Sequence, residues 1–434
     1  MKFYHLILLF IYGLVLIFPN IISNLLVDAN PLTAPFNDIH TLIRRKSNEK
    51  PPSAPSSGAN PVQINNWWNG LPSDNQKQII NQFPEYIGST DGIPTVARDT
   101  ANRAITEKDL RANYNEFKNN RNLKSYVAVL KKQLIGIHDL QTRLGGKWDV
   151  KQNNQIEPRV VTGNIDPKDP TQHLPGEPAS DQPYLLGFNM EGTGHFILSI
   201  GLPETADNIV TTVPGVGRGV NDVLYQDLSN NDATASKISE ILKNSGNINN
   251  ALIIWDDYDA PVDLPAAFGS SRDNAREAAP ALELFQQGLV AIHKGTPPHI
   301  TVVGHSFGTD VVTETTINGH KLVSDDAILI GSPGVPVDHA SQIANNMIPS
   351  NTGQNRTPRT RVWASRTGSD PITCLFNDFL RSFALGTDTV SNAFGASIFT
   401  SDPQGDHGGY WQGIGLKNMA YIELGNYNSV ELTN

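Results

Sequence analysis

Gly304-His305-Ser306-Phe307-Gly308 places a serine between glycines two residues away on either side, a pattern that can present a nucleophilic hydroxyl on a sharp strand-to-helix turn. A serine hydroxyl attacks poorly near neutral pH. Acyl transfer therefore also needs a base, a group that orients the base, and N–H donors for the oxyanion. The β-branched run Ile300 to Val303 leads into the pentapeptide and a helix-compatible segment, Thr309 to Thr316, leaves it, which is the context such a turn requires. On a plainer reading Ser306 would only cap a helix.

The chain order serine, acid, histidine assigns the partners. Asp370 closes the loop 365–369 after an apolar run at Arg361 to Ala364, and His407 is the single histidine beyond it. Asp338, beside His339, is a rival acid that follows an earlier strand. The oxyanion donors expected are the Phe307 N–H and one from the glycine-rich Pro214-Gly215-Val216-Gly217, either Gly215 or Val216; alternatively these glycines only make a turn. Other chemically capable residues have milder readings. His305 is expected to be a packed or solvated neighbour, because successive side chains diverge at a sharp turn. Asp256, Asp257 and Asp259 read as a solvated loop rather than a metal site, though they could line the cleft. Trp67 and Trp68 read as core anchors rather than a sugar platform, and Cys374 as a small apolar residue.

These residues need a scaffold, and short β-rich runs alternating with helical segments supply one: an α/β domain with a mostly parallel central sheet flanked by helices. Strands are expected at Leu185 to Phe188, Phe196 to Ile200, Ile209 to Val213, Ala251 to Trp255, Ile300 to Val303, Ala327 to Ile330 and Arg361 to Ala364. Helices are expected at Ala233 to Leu242 and Ala275 to Ile292. Ahead of them, 61–150 reads as an N-terminal helical region. It has a capping box at Ser73 to Gln76 and a helix carrying Val127, Leu130, Leu134, Ile137, Leu140 and Leu144. A polar, proline-rich stretch over 151–183 opens the larger domain, 151–434.

The 434 residues can bury a large core, and the formal net charge of -10 excludes a nucleic-acid partner, which would need a basic surface. One cysteine leaves no intrachain disulfide, no His/Cys cluster has zinc-ligand spacing, and the chemistry needs no cofactor. The apolar run Phe3 to Phe18 makes 1–29 a signal peptide, or a membrane anchor if it is not cleaved, so the protein is expected to be secreted or held at the cell envelope. The Pro-, Ser- and Asn-rich 30–60 reads as a disordered linker.

Several stretches, in order from about residue 65 onward, resemble α/β hydrolases of unknown function found chiefly in actinobacteria. They include Trp67 to Leu71, Asp91 to Pro94, Ala97-Arg98-Asp99 through Asn102-Arg103, Leu185 to Asn189, Val213-Pro214-Gly215, Tyr258 to Pro261, Val303 to Gly308, Gly331 to Gly334, Asp338 to Ala340 and Asp370-Pro371. The resemblance implies the α/β-hydrolase fold and a triad of Ser306, Asp370 and His407, without fixing a substrate. Two departures are the insertion over 151–183 and Asp310, where a carboxylate could disfavour anionic substrates. The expected reaction is hydrolysis of a small-molecule or lipid-like ester. A thioester or amide, or a non-catalytic envelope module on the same scaffold, are the alternatives.

Overall fold

The computed structural model describes residues 49–119, 137, 140, 149–151, 155–157, 165–166, 169–173, 183–192, 194–220, 224–243, 249–261, 272–350, 361–374 and 386–433. The signal peptide or anchor expected over 1–29 lies outside these residues, as do most of the 127–144 helix and much of 30–60 and 151–183. Among the described residues no helix is long and apolar enough to cross a membrane. Within 149–173 two short antiparallel strand pairs occur, Asp149–Lys151 with Gln155–Glu157 and Ile165–Asp166 with Asp169–His173, where the sequence reading had only a polar stretch.

Residues Lys50–Asn434 form one compact unit. Its centre is an eight-stranded sheet of β1 (Pro183–Asn189), β2 (His195–Ile200), β3 (Asn208–Val213), β4 (Asn250–Asp256), β5 (His299–His305), β6 (Asp326–Ile330), β7 (Val362–Ser365) and β8 (Ser397–Ile398). The spatial order is β1-β2-β4-β3-β5-β6-β7-β8. Only β2 runs antiparallel to its neighbours, while the pairs from β4 through β3, β5, β6 and β7 to β8 are all parallel. This is the α/β-hydrolase fold that the resemblance implied.

The central strands are apolar on both faces because helices cover both. Along β5, Ile300 and Val302 join one cluster and Val303 the opposite one. On the first face lie Leu282, Phe285 and Leu289 of helix 273–292 and Val311 and Val312 of helix 308–314. On the second lie Ile238 of helix 224–242 and Leu416, Met419 and Ala420 of helix 413–423.

The lead-in contributes α1 (Pro61–Asn69), α2 (Ser73–Gln82), α3 (Pro84–Ser89) and α4 (Thr95–Asn119), around a core that includes Ile64, Trp68, Ile80 and Ile87. Trp68 is buried in it, and Trp67 meets Trp68 and Tyr86 edge-on, so the anchoring reading fits both indoles. The expected capping box does not form. α2 starts at Ser73 itself after Pro72, which makes no side-chain cap, and the Gln76 amide is spent on the Trp68 carbonyl.

Polar residues of α4 cover the open edge of β1. Asp99 Oδ1 accepts the Leu185 N–H at 2.6 Å, Asn102 donates to the Leu185 carbonyl at 3.0 Å, and Arg103 donates to the Pro183 carbonyl at 3.0 Å. An edge strand exposes a row of unpaired peptide groups, and here helix side chains take the place of a further strand. Glu204 secures the start of α4 by accepting the Thr95 N–H at 2.6 Å.

Candidate active site

Ser306, Gly215, Gly331 and Asp370 all follow the C-terminal ends of parallel strands, β5, β3, β6 and β7 respectively. Open parallel sheets place their ligand crevices at this end. Ser306 itself has φ +56°, a left-handed conformation that a serine adopts only at some cost. Its N–H donates to Ile330 O at 3.0 Å, which holds the turn against β6.

The flanking glycines are steric requirements. A Cβ at Gly308 would overlap the carbonyl oxygen of Val213, and one at Gly304 would stand 2.8 Å from Gly308 O and Thr309 Cα. A Cβ at Gly215 would stand 2.7 Å from Ser306 Cβ and 3.1 Å from its Oγ. The loop after β3 therefore passes directly beside the serine. Tyr258 pins that loop by donating its hydroxyl proton to Pro214 O at 2.7 Å. Among the described residues nothing accepts the N–H of Phe307, Gly215 or Val216, so these are the donors available around the hydroxyl.

His407 and Asp370 meet directly, with Nδ1 lying 3.0 Å from Oδ1 and 2.9 Å from Oδ2 of the carboxylate. The buried carboxylate also accepts the Tyr410 hydroxyl at 2.7 Å and the Ile372 N–H at 2.9 Å. Burial alone would raise its pKa, but the bonds from His407, Tyr410 and Ile372 hold it below the usual aspartate value. An acid kept ionised in this way fixes the imidazole with Nδ1–H inward and leaves Nε2 to act outward. The Cε1 of that ring would stand 3.0 Å from a Cβ on Gly331, so glycine at the end of β6 leaves room for it. Among the described residues the Ser306 hydroxyl has no hydrogen-bond partner. The serine and histidine thus share the crevice without a closed bond, and such bonds are often long before substrate arrives.

Asp338 lies exposed, away from this group, with its N–H donating to Gln342, so the structure brings the imidazole to Asp370 and not to its rival. Asp310 is buried one turn after Ser306 and faces Arg272, whose Nε donates to it at 2.8 Å. Burial, partly offset by Arg272, pushes its pKa up to about 7, and its Oδ1 is engaged by that guanidinium.

Asp256 corrects the solvated-loop reading, being fully buried at the end of β4. Asp257 and Asp259 flank His195, at 3.6 and 3.1 Å, and these hydrogen bonds and charges outweigh burial to raise the His195 pKa to about 10. Among the described residues no group of three His, Cys, Asp or Glu side chains could hold a metal ion. The side chain of Cys374 lies outside the described set. Sequence reading missed Tyr410, Tyr258 and His195. Tyr410 stands three residues after the histidine, and that proximity was the available signal.

Residues 191–375 match the model of a family described as alpha/beta hydrolase. Uncharacterized protein Rv2079 of Mycobacterium tuberculosis is 26% identical over 414 residues, covering 87% of this chain and 57% of the relative. The chain thus spans little more than half the length of that relative. Uncharacterized protein Rv0963c of the same species is 26% identical over 218 residues, covering 50% of this chain and 77% of its own. Among solved structures, esterase PE8 aligns with a TM-score of 0.31 at 14% identity, over 50% of this chain and 92% of that one. These mycobacterial relatives agree with the actinobacterial resemblance read from the sequence.

Proposed function

We propose that this α/β-hydrolase chain cleaves an ester-type bond through an acyl-enzyme on Ser306. The observation that carries the reading is the seating of Gly215 against the Ser306 hydroxyl, together with a histidine whose Nδ1 is held by an ionised aspartate and whose ring centroid lies 4.7 Å from that of His305, the residue before the serine. In the first step Ser306 Oγ attacks the substrate carbonyl carbon while its proton passes to His407 Nε2. The resulting oxyanion is met by the Phe307 N–H and by that of Gly215 or Val216. His407 then protonates the leaving alcohol as the C–O bond breaks. Water attacks the acyl-enzyme, gives its proton to His407, and frees the acid and the serine. Substrates would be small-molecule or lipid-like esters, and thioesters or amides could use the same groups. The sequence of 1–29 favours action outside the cytoplasm or at the envelope surface.

The unbonded Ser306 hydroxyl is the one observation favouring a non-catalytic envelope module. A fluorophosphonate probe separates the two readings. Covalent labelling of the purified protein that disappears in Ser306→Ala is expected of the enzyme. A folded native protein that never labels would reject it.

A further inference from the structure

We infer that His305, the residue before the nucleophile, is a positioning residue that ties the backbone of His407 to the end of β5. The inference rests on reading His407 as the base. His305 Nε2 lies 2.9 Å from the His407 carbonyl oxygen. A carbonyl can only accept, so Nε2 carries the proton and the tautomer is fixed. The ring is buried at 5% exposure, and its centroid lies 4.7 Å from that of His407 at a tilt of 33°. Tyr410 and Trp411 meet it edge-on at 5.9 and 6.0 Å. The residue that follows the base by three thus braces both Asp370 and His305.

One strand end therefore carries the nucleophile on one residue and, on the residue before it, the anchor of the group that must deprotonate it. The distance between hydroxyl and base is set by β5 rather than left to the loop carrying His407. A neutral donor suits this place. Burial first, then the charges of the neighbouring His407 and Arg218, pull the His305 pKa down to about 3, against the opposing pull of its bond to the His407 carbonyl and then of Asp370. The ring stays uncharged wherever His407 would work, so it adds no repulsion when that imidazole gains a proton. A lysine or arginine there would add it.

The test compares His305→Leu, which keeps bulk but has no donor, with His305→Gln, whose Nε2–H reaches a similar point. Expected for leucine is a fall of ~10–100-fold in fluorophosphonate labelling rate and in kcat on a p-nitrophenyl ester. KM should stay within about twofold, because His305 touches no substrate, and glutamine should recover labelling to within about threefold of native. Native-rate labelling of the leucine protein, or a folded glutamine protein as slow as leucine, would overturn the inference. If the native protein does not label, the proposed function fails and NMR of 15N-histidine protein decides the inference alone. Exchange of the His407 Nδ1 proton that quickens in leucine and recovers in glutamine supports it; equal exchange in all three overturns it. Should the leucine protein fail to fold, native 15N shifts decide: a neutral Nε2–H tautomer at His305 supports it, and an Nδ1–H tautomer overturns it.

Discussion

Gly215 shows how little space separates a working crevice from a blocked one. A methyl group there would sit within van der Waals overlap of Ser306 Cβ and beside its hydroxyl, while the backbone is not in a left-handed conformation that would strain alanine. Gly215→Ala is accordingly expected to lose about 1–3 kcal/mol of stability to overpacking and, in the protein that still folds, at least ~100-fold in serine labelling, since oxyanion donors and nucleophile would both be displaced. A labelling rate within a few-fold of native would show that the loop after β3 does not form the oxyanion site. Ser306 and Asp370 were readable because each follows a recognisable strand, and His407 because it is the single histidine beyond Asp370 in the expected chain order. Tyr410 and Tyr258 were not, because their roles depend on which loops meet across the crevice, and no local pattern encodes that meeting.

At the level of elements, the seven strands expected from apolar runs all form, with ends shifted by a residue or two. Burial on both faces writes a strong signal into such strands. The two-residue β8 and helix 413–423 carried no such signal and were not anticipated. The motif Ala97-Arg98-Asp99 through Asn102-Arg103 looked like a family marker of unstated purpose. Its physical purpose is the pairing of β1. Asp99 is fully buried, accepts the Leu185 N–H, and holds Arg103 Nε at 2.9 and 2.8 Å from its two oxygens. Asp99→Ala would remove the acceptor of the buried Leu185 N–H and the carboxylate that faces Arg103, so a loss of about 3–5 kcal/mol in urea unfolding is expected. Asp99→Asn, which keeps an acceptor for Leu185, should lose less. Equal stability of the alanine protein and the native one would refute the pairing role.

Across the whole molecule, stability should fall as pH rises from about 4.5 to about 8 because of one residue far from the crevice. Glu423, in the last turn of helix 413–423, is buried, and among the described residues neither of its oxygens has a hydrogen-bond partner. Burial pushes its pKa from 4.5 up to about 8. Between those values the folded chain keeps a proton that the unfolded chain has released. Folding therefore weakens as pH rises through that window, and the loss is complete above about pH 8. Glu423→Met should be more stable than native by on the order of 1–3 kcal/mol at pH 9, with the gap narrowing toward pH 4. Urea titrations at both pH values read this directly, and a gap independent of pH would exclude Glu423 as its source.

The covering of β1 by α4 also bears on how the chain is made. Translation delivers the helix that begins at Thr95 well before the strand that begins at Pro183. The shield is already waiting when the vulnerable ribbon leaves the ribosome, and no interval need pass in which that ribbon could recruit a strand from a neighbouring nascent chain. A circular permutant that moved the shield to the end of translation would reach the same native architecture through an exposed interval, at a cost in soluble yield rather than in final stability.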